Sequence, residues 1–309
     1  MDDLAGKDGR LAFIYADGNN MGDLLQRAKT PAQYRHISEA LETAVEEALF
    51  EALVGSIGKE NLVKPKEDSY LPFEIIAIGG DDVTVIVPAR YGWQLTLNLL
   101  QQFEEHPKIQ QLNEEVGLSE KEKLTMSAGL VIADVKYPVR FMQSLAENLL
   151  KEAKRLARKK QGESTICHLW LLTPIASEDA KVVLETLYLR EDKERRHLTA
   201  RPFTLRQARK LTELAQNLKD LPHHQRRMLA ESLEKGVRIS LNTALYQVQR
   251  QLSEEQREQR EKVIRTFVEL GRLVTEEIQD KFFFWQKRDG EWRTALLDAL
   301  ELLELGGEG

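Results

Sequence analysis

The segment "FEIIAIGGDDVTVIVPA" (73–89) places two adjacent acids, Asp81 and Asp82, between two runs of strand-forming residues. Two carboxylates within a few ångströms repel each other unless a cation lies between them. Carboxylate oxygens suit Mg²⁺ or Mn²⁺, which are often shared with substrate phosphates. Gly79 and Gly80 leave room for a phosphate or ribose beside the acids. The segment therefore indicates a metal and nucleotide site, although Gly-Gly-Asp-Asp is also an ordinary hairpin turn by composition.

A third acid, Asp17, ends the apolar run "LAFIYAD" (11–17) and opens the turn "ADGNNMG". Taken alone, an aspartate at a strand end is usually a turn or cap residue. In a mixed sheet, however, the first strand and the hairpin can be central neighbours, and their carboxylates then converge at one edge. The two motifs together favour a metal site formed by Asp17, Asp81 and Asp82.

Features that suit phosphate surround these acids. Gly18 and Gly22 flank a strand-to-helix turn, where free backbone N–H groups can hold a triphosphate. On a later helix, Lys154 and Arg158 are four residues apart and share a face. That face either neutralises the outer phosphates or is an ordinary solvated face. Ser127, in a later strand, is a candidate nucleotide contact or an inter-strand hydrogen-bonding residue.

Strand and helix signals alternate through the first half of the chain. Strands are predicted over 11–17, at the hairpin 73–89, over 124–134 and over 164–172, with helices between them. Thr30 at an N-cap position and Pro31 at the first helical position predict the start of a long helix. This order predicts an α+β fold with a ferredoxin-like mixed sheet of the polymerase palm type.

Strand signals vanish after about residue 177. Four helical stretches follow, broken at Pro222, at Ser253 and at "KRDGE" (287–291). We therefore predict a palm domain over 1–176 and an all-α helical domain over 177–309.

Composition excludes several classes of protein. The 309 residues carry a net charge of −6, so only a local basic patch could bind nucleic acid. One cysteine, Cys167, rules out an intramolecular disulfide and a four-cysteine zinc site. No apolar run approaches the roughly 18 residues that a membrane span needs, and the N-terminus lacks a signal-peptide core. We expect a soluble, cytoplasmic protein.

The quoted motifs resemble a known family. "IYADGNNMG", "IIAIGGDDVTVIVPA", "MSAGLVIAD" and "LLKEAKRLARKKQG" look like the second palm domain of the polymerase-like large subunit of type III CRISPR effector complexes. They are more distantly similar to GGDEF diguanylate cyclases and class III nucleotidyl cyclases. The segment with "LTARPFTL" is similar, more weakly, to the helical domain that follows that palm.

The resemblance implies an enzyme that makes cyclic oligoadenylates from ATP with Mg²⁺ or Mn²⁺. Asp17 and Asp81, with Gly18, would hold the metal ions, and Asp82 would assist as a ligand or orient the 3′-hydroxyl. Lys154 and Lys159 would contact the triphosphate. The residues that would cradle phosphates are Gly18, Asn19, Asn20, Met21 and Gly22.

This chain also departs from the family. None of its six histidines precedes an aspartate, as in the family's nuclease domain, and only one palm is recognisable. Because the ATP pair in the family lies between two palms, we expect a homodimer, a partner palm, or a chain that is a fragment. Effector subunits and guide or target RNA are further expected partners. Two alternatives stay open: a diguanylate-cyclase-like enzyme using GTP, and a non-catalytic, RNA-binding assembly subunit.

Overall fold

The computed structural model describes residues 1–6, 9–62, 70–192, 194–250, 257–275 and 277–305. The chain divides into two compact units. Unit 1 comprises 1–183 with 202–205, and unit 2 comprises 184–201 with 206–309. The domain limits 1–176 and 177–309 stay a prediction, and the predicted break at Ser253 lies outside the described residues. No helix in the described ranges is both long and apolar enough to span a bilayer.

The secondary structure elements are numbered in chain order. The strands are β1 Arg10–Gly18, β2 Glu74–Gly79, β3 Asp82–Pro88, β4 Met126–Asp134, β5 Thr165–Trp170, β6 Leu189–Glu191, β7 Arg195–His197, β8 Phe203–Thr204, β9 Trp285–Arg288 and β10 Glu291–Thr294. The helices are α1 Asp2–Ala5, α2 Met21–Gln26, α3 Pro31–Ile57, α4 Lys59–Leu62, α5 Ala89–Glu105, α6 Pro107–Val116, α7 Val139–Lys159, α8 Ala180–Tyr188, α9 Leu205–Leu218, α10 His223–Leu233, α11 Val237–Arg250, α12 Arg257–Arg272 and α13 Leu296–Leu305.

Unit 1 is built on a mixed sheet with the strand order β2-β3-β1-β4-β5-β8. The central strand β1 pairs antiparallel with both β3 and β4, and β4 pairs parallel with β5. This arrangement confirms the α+β palm prediction, including the central position of the first strand beside the hairpin. The predicted cap is also present, since the Thr30 hydroxyl accepts a hydrogen bond from the Gln33 N–H at 3.2 Å.

The strand β8 was not predicted. It consists of Phe203 and Thr204, which return from the second half of the chain and pair antiparallel with β5. A two-residue strand has too few positions to show an alternating pattern, and only its partner identifies it.

Helices cover both faces of this sheet. On one face, α5 approaches β1 so closely that a Cβ on Gly92 would overlap the Cβ of Ala12. On the other face, α7 lies against β4, where Gly129 faces the backbone of Ala146 and Leu150. The helix α7 also carries Lys154. The close contact at Gly129 therefore fixes how far the Lys154 backbone lies from the sheet.

Substituting Gly129 with alanine should destabilise the chain. The added Cβ would overlap the Ala146 carbonyl oxygen and lie 2.8 Å from the Leu150 nitrogen. Overpacking of this kind costs about 1–3 kcal/mol, so the denaturant midpoint should fall. Gly55→Ala in α3 is the control, because its nearest neighbour atom is 3.5 Å away and a helical Gly→Ala change stabilises by roughly 0.5–1 kcal/mol. Equal midpoints for the two variants would contradict the packing described here.

Unit 2 is mainly helical, but the expectation that it is entirely so was wrong. It contains a four-stranded sheet with the order β6-β7-β10-β9. The "KRDGE" segment, predicted as a helix break, is a hairpin turn in which Asp289 and Gly290 have φ values of 55° and 82°. The final predicted helix accordingly begins later, at Leu296. These strands are three or four residues long, and the parallel partner of β7 lies about a hundred residues away in β10, so local sequence patterns do not reveal them.

Candidate active site

A row of glycine, acidic and hydroxyl residues crosses the sheet of unit 1 at one level. Asp17 lies directly opposite Asp82 on one side and Ser127 on the other. The row continues outward on both sides. Directly opposed residues of neighbouring strands share a face of the sheet. The strand register thus brings two of the three predicted acids side by side. In order across the strands, the row is Gly79, Asp82, Asp17, Ser127, Thr165 and Thr204.

The hairpin turn explains why glycines precede the acids. Gly80 and Asp81 form a two-residue loop, and only Gly80 has positive φ (65°), as in a type II′ turn with glycine at its first position. At Gly79, a Cβ would lie 2.7 Å from Oδ1 of Asp82. Glycine at both positions therefore lets the chain turn tightly and lets the Asp82 carboxylate lie over the backbone of β2.

The turn also brings Asp81 to the end of β1. The Gly18 N–H donates to the Asp81 carbonyl at 3.0 Å. A Cβ on Gly18 would lie 3.0 Å from Oδ2 of Asp81 and would clash with the Met21 side chain. Burial raises the pKa of Asp81, and the neighbouring Asp82 raises it further. Bringing a cation to these carboxylates would relieve that repulsion.

Lys154 supplies the positive charge at the centre of the site. Its ammonium contacts Oδ1 of Asp17 and also donates to the Gly18 carbonyl at 3.0 Å. The two side chains are only 24% exposed at Asp17 and 29% exposed at Lys154. Burial lowers the pKa of Lys154, and Arg158 on the next turn lowers it further. The two oxygens that bind this ammonium are the ones predicted to bind a metal ion at the end of β1.

The three acids are neighbours but do not form one tight cluster. Within the described ranges, the carboxylate oxygens of Asp17, Asp81 and Asp82 do not all lie within 4.8 Å of one another. Asp17 is paired with Lys154, whereas Oδ2 of Asp82 accepts a hydrogen bond from the Tyr15 hydroxyl at 3.3 Å. The site therefore has two parts. Asp17 and Gly18 form one, with Asp81 beside them, and Asp82 with Tyr15 forms the other.

The first part of the site has the ligands that a divalent cation needs. Oδ1 of Asp17 and the Gly18 carbonyl oxygen are hard ligands, and they already hold a cationic group between them. Asp81 adds a carboxylate beside Gly18. The donor set thus fits Mg²⁺ or Mn²⁺, with positions left for water and phosphate oxygens.

A polar pocket adjoins Lys154. Its lining includes Asn20, Lys154 and Arg158, together with Thr125 and Gly162. Asn20 adopts a left-handed conformation (φ 62°) at the start of α2, and its carbonyl accepts from the N–H groups of that helix. Arg158 therefore joins Lys154, as their four-residue spacing predicted.

Four other predicted nucleotide contacts are absent from the lining of this pocket: Ser127, Lys159, Met21 and Gly22. Ser127 is fully buried, with its hydroxyl 2.8 Å from both Asn19 Oδ1 and Thr165 Oγ1, which favours the inter-strand interpretation. Lys159 is exposed and is absent from the lining of the pocket beside Lys154. Met21 is buried and packs on Gly18, so it supports the turn. Gly22 lies in the first turn of α2.

Sequence reasoning missed several residues of the site. Tyr15 precedes Asp17 by two positions, and this strand period places its hydroxyl on the same face, beside Asp82. Burial raises the pKa of Tyr15, and Asp82 raises it further. Thr125 and Thr165 bond to Asn19 and Ser127. The alternation within β1 could have identified Tyr15, whereas the two threonines depend on the register between strands.

The family match covers β1 to β4 and the helix α7, which carry the three acids and Lys154. The model of the family described as Cas10/Cmr2, second palm domain, matches residues 10–162. This range begins at β1, contains all three acids and ends just after α7. Residues 10–162 belong to the Cas10/Cmr2 second palm family. The prediction of a palm from a type III CRISPR large subunit is thereby confirmed.

Several solved structures are similar to the chain. A Csm1–Csm4 cassette in complex with pppApA is 14% identical over 96% of this chain, with a TM-score of 0.43, and 36% of that chain is covered. Csm1 from T. onnurineus is 15% identical over 95%, with a TM-score of 0.43 and 38% of that chain covered. A Csm1–Csm4 cassette with cA4 is 13% identical over 96%, with a TM-score of 0.42 and 36% covered. The present chain thus spans little more than a third of their length.

No curated protein matches the sequence. The Cas10/Cmr2 palm assignment therefore rests on the family match and on the sheet topology. Within that palm, the acids occupy the end of β1 and the β2–β3 turn, and Lys154 reaches them from α7.

Proposed function

We propose that this Cas10/Cmr2-type palm is a metal-dependent nucleotidyltransferase that converts ATP into cyclic oligoadenylates in CRISPR-type antiviral defence. One observation carries the proposal: the Lys154 ammonium bonds to both the Asp17 carboxylate and the Gly18 carbonyl, beside the two hairpin acids. A cationic group thus already lies at the point where the family resemblance places a metal ion. Adenine, rather than guanine, is assigned by the family alone.

Asp17, the Gly18 carbonyl and Asp81 are the proposed metal ligands, with Asp82 as a further ligand or as the residue that orients the 3′-hydroxyl. When bound, Mg²⁺ or Mn²⁺ would lower the pKa of that hydroxyl and stabilise negative charge on the phosphates. In each transfer a bond forms between the 3′-oxygen and the α-phosphorus, and the α–β phosphate bond breaks. Pyrophosphate leaves with the electron pair, and the hydroxyl proton passes to solvent.

Lys154 has two roles in this proposal. Without nucleotide, its ammonium balances the charge of Asp17. With nucleotide and metal, it turns to the outer phosphates together with Arg158, its neighbour in the polar pocket. Asn20, the residue before α2, lines the same pocket, and the backbone N–H groups that follow it are proposed to bind phosphate oxygens. Gly79 and Gly80 keep the hairpin free of side chains where the nucleotide approaches.

A second palm is proposed to supply the other nucleotide. Joining two ATP molecules requires a second nucleotide site, either from another copy of this chain or from a partner palm in an effector complex. Among the described residues β2 is an edge strand of the sheet, and its Ile76 side chain, 52% exposed, is proposed as part of such a contact. Effector subunits and guide or target RNA are the further proposed partners.

The activity can be tested with the full chain, Mg²⁺ or Mn²⁺, and radiolabelled ATP or GTP, with and without partner subunits and target RNA. We expect cyclic products from ATP, and we expect Asp81→Ala with Asp82→Ala to abolish them. Asp134→Ala is the matched control, because Asp134 is an exposed acid at the opposite end of β4. Turnover of GTP but not of ATP would favour the diguanylate-cyclase-like alternative. If neither nucleotide is consumed in any condition, the catalytic proposal is wrong.

A further inference from the structure

A chain of buried polar contacts links the two sides of the Lys154 site. Thr125 Oγ1 lies 2.9 Å from Asn19 Nδ2, and Asn19 Oδ1 lies 2.8 Å from Ser127 Oγ. Ser127 Oγ lies 2.8 Å from Thr165 Oγ1, which donates to the Ala153 carbonyl at 2.8 Å. Each of the four side chains belongs to a residue that is at most 7% exposed. Buried polar contacts of this kind fix the groups at their ends.

The residues at the two ends of this hydrogen-bond chain, Thr125 and Thr165, each bond to a peptide group that holds the site. The Gly18 carbonyl belongs to the same planar peptide as the Asn19 N–H, which donates to the Thr125 carbonyl at 2.8 Å. That bond turns the Gly18 carbonyl the other way, and there it accepts from the Lys154 ammonium. At the opposite end, the Ala153 carbonyl belongs to the peptide that enters Lys154. The hydrogen-bond chain and the backbone bond from Asn19 to Thr125 together orient both partners of the 3.0 Å bond between Lys154 and Gly18.

Only one orientation of the Asn19 amide gives every contact of the hydrogen-bond chain a proton. If the Asn19 side-chain nitrogen faces Thr125, three contacts need a hydroxyl proton: Asn19 to Ser127, Ser127 to Thr165, and Thr165 to Ala153. The hydroxyls of Ser127 and Thr165 supply only two. With the amide turned end for end, Thr125 donates to Asn19, and Asn19 donates to Ser127. Ser127 then donates to Thr165, and Thr165 donates to Ala153. Every contact now has one proton, and all bonds run in one direction, which strengthens each of them.

We propose that Asn19 and Thr165 are positioning residues for the metal and nucleotide site. Through this hydrogen-bond chain they hold the Gly18 carbonyl and Lys154 in fixed positions relative to each other. The carbonyl can then bind a metal ion while Lys154 binds phosphate. The inference rests on the proposed nucleotidyltransferase function. Asn19 borders the polar pocket beside Lys154, but both ends of its side-chain amide already bond to protein groups, which assigns it a positioning role.

The test uses the full chain and three variants. Thr165→Val keeps the shape and removes the hydroxyl, whereas Thr165→Ser restores a hydroxyl. Thr96→Val is the matched control, because Thr96 is also fully buried in unit 1 and donates to a backbone carbonyl, that of Gly92, at 2.7 Å. Two quantities are measured: calorimetric affinity for Mn²⁺ with α,β-methylene-ATP, whose α–β bond resists cleavage, and amide hydrogen exchange of the ligand-free protein over residues 19–22.

Thr165→Val should weaken the affinity about tenfold, as expected when buried partners lose a hydrogen bond, and should speed exchange at 19–22. Thr165→Ser and Thr96→Val should leave both quantities near wild type. Wild-type affinity and exchange in Thr165→Val, or the same losses in Thr96→Val, would overturn the positioning inference alone. If wild type does not bind the analogue, the proposed function and this inference fail together.

Discussion

Asp17→Asn should reduce nucleotide turnover at least about a hundredfold, since metal stabilisation of transition-state charge contributes several kcal/mol and each 1.36 kcal/mol is tenfold in rate. Asparagine keeps the shape of the side chain but removes the charge that pairs with Lys154 and is proposed to bind the metal. Turnover of labelled ATP by the full chain measures the effect.

Asp134→Asn is the control for this prediction. Asp134 also ends a strand of the same sheet, but it pairs with Arg10 at the edge opposite Asp17. Its substitution should leave turnover unchanged. Comparable losses in the two variants would indicate a general effect of strand-end acids on the sheet, and near-normal turnover in Asp17→Asn would exclude Asp17 as a metal ligand.

Lys154→Met should change metal and nucleotide affinity in opposite directions. Without the ammonium, Asp17 and the Gly18 carbonyl lose their cationic partner, so Mn²⁺ alone should bind more tightly. The uncleavable analogue α,β-methylene-ATP should bind more weakly, because its phosphates lose a charge-assisted hydrogen bond of about 1.5–3 kcal/mol, roughly tenfold or more in affinity. Titration calorimetry with Mn²⁺ alone, and then with the analogue, measures both effects.

Lys151→Met provides the comparison for Lys154→Met. Lys151 is exposed and lies on the preceding turn of α7, so its removal alters the general charge of the helix without touching Asp17. It should change neither affinity appreciably. If Lys154→Met weakened both ligands, or if Lys151→Met produced the same opposite changes, the competition between Lys154 and the metal would be contradicted.

The acids of the site could be predicted from sequence because their signals are local. Asp17 follows an apolar strand, and the hairpin carries Gly79 and Gly80 immediately before Asp81 and Asp82. The four-residue spacing of Lys154 and Arg158 likewise predicted a shared face, and the structure places both beside one pocket. Each of these inferences needs only a few neighbouring residues.

The remaining features depend on contacts between distant parts of the chain. Ser127 and Thr165 meet only because β4 and β5 pair in one particular register, and a shift of one residue would turn either side chain to the other face. The sheet of unit 2 was missed for the same reason, since its short charged strands show no apolar alternation. The sequence pattern alone therefore predicts the acids but not the buried contacts that support them.

The position of the metal ion is the most direct test of the proposed site. We suggest a crystal structure of the full chain with Mn²⁺ and α,β-methylene-ATP, in which anomalous scattering identifies manganese. We expect Mn²⁺ to be bound by Asp17, the Gly18 carbonyl and Asp81, with the Lys154 ammonium moved from Asp17 to the phosphates. Manganese bound elsewhere, or nucleotide bound while Lys154 remains on Asp17, would contradict the proposed site.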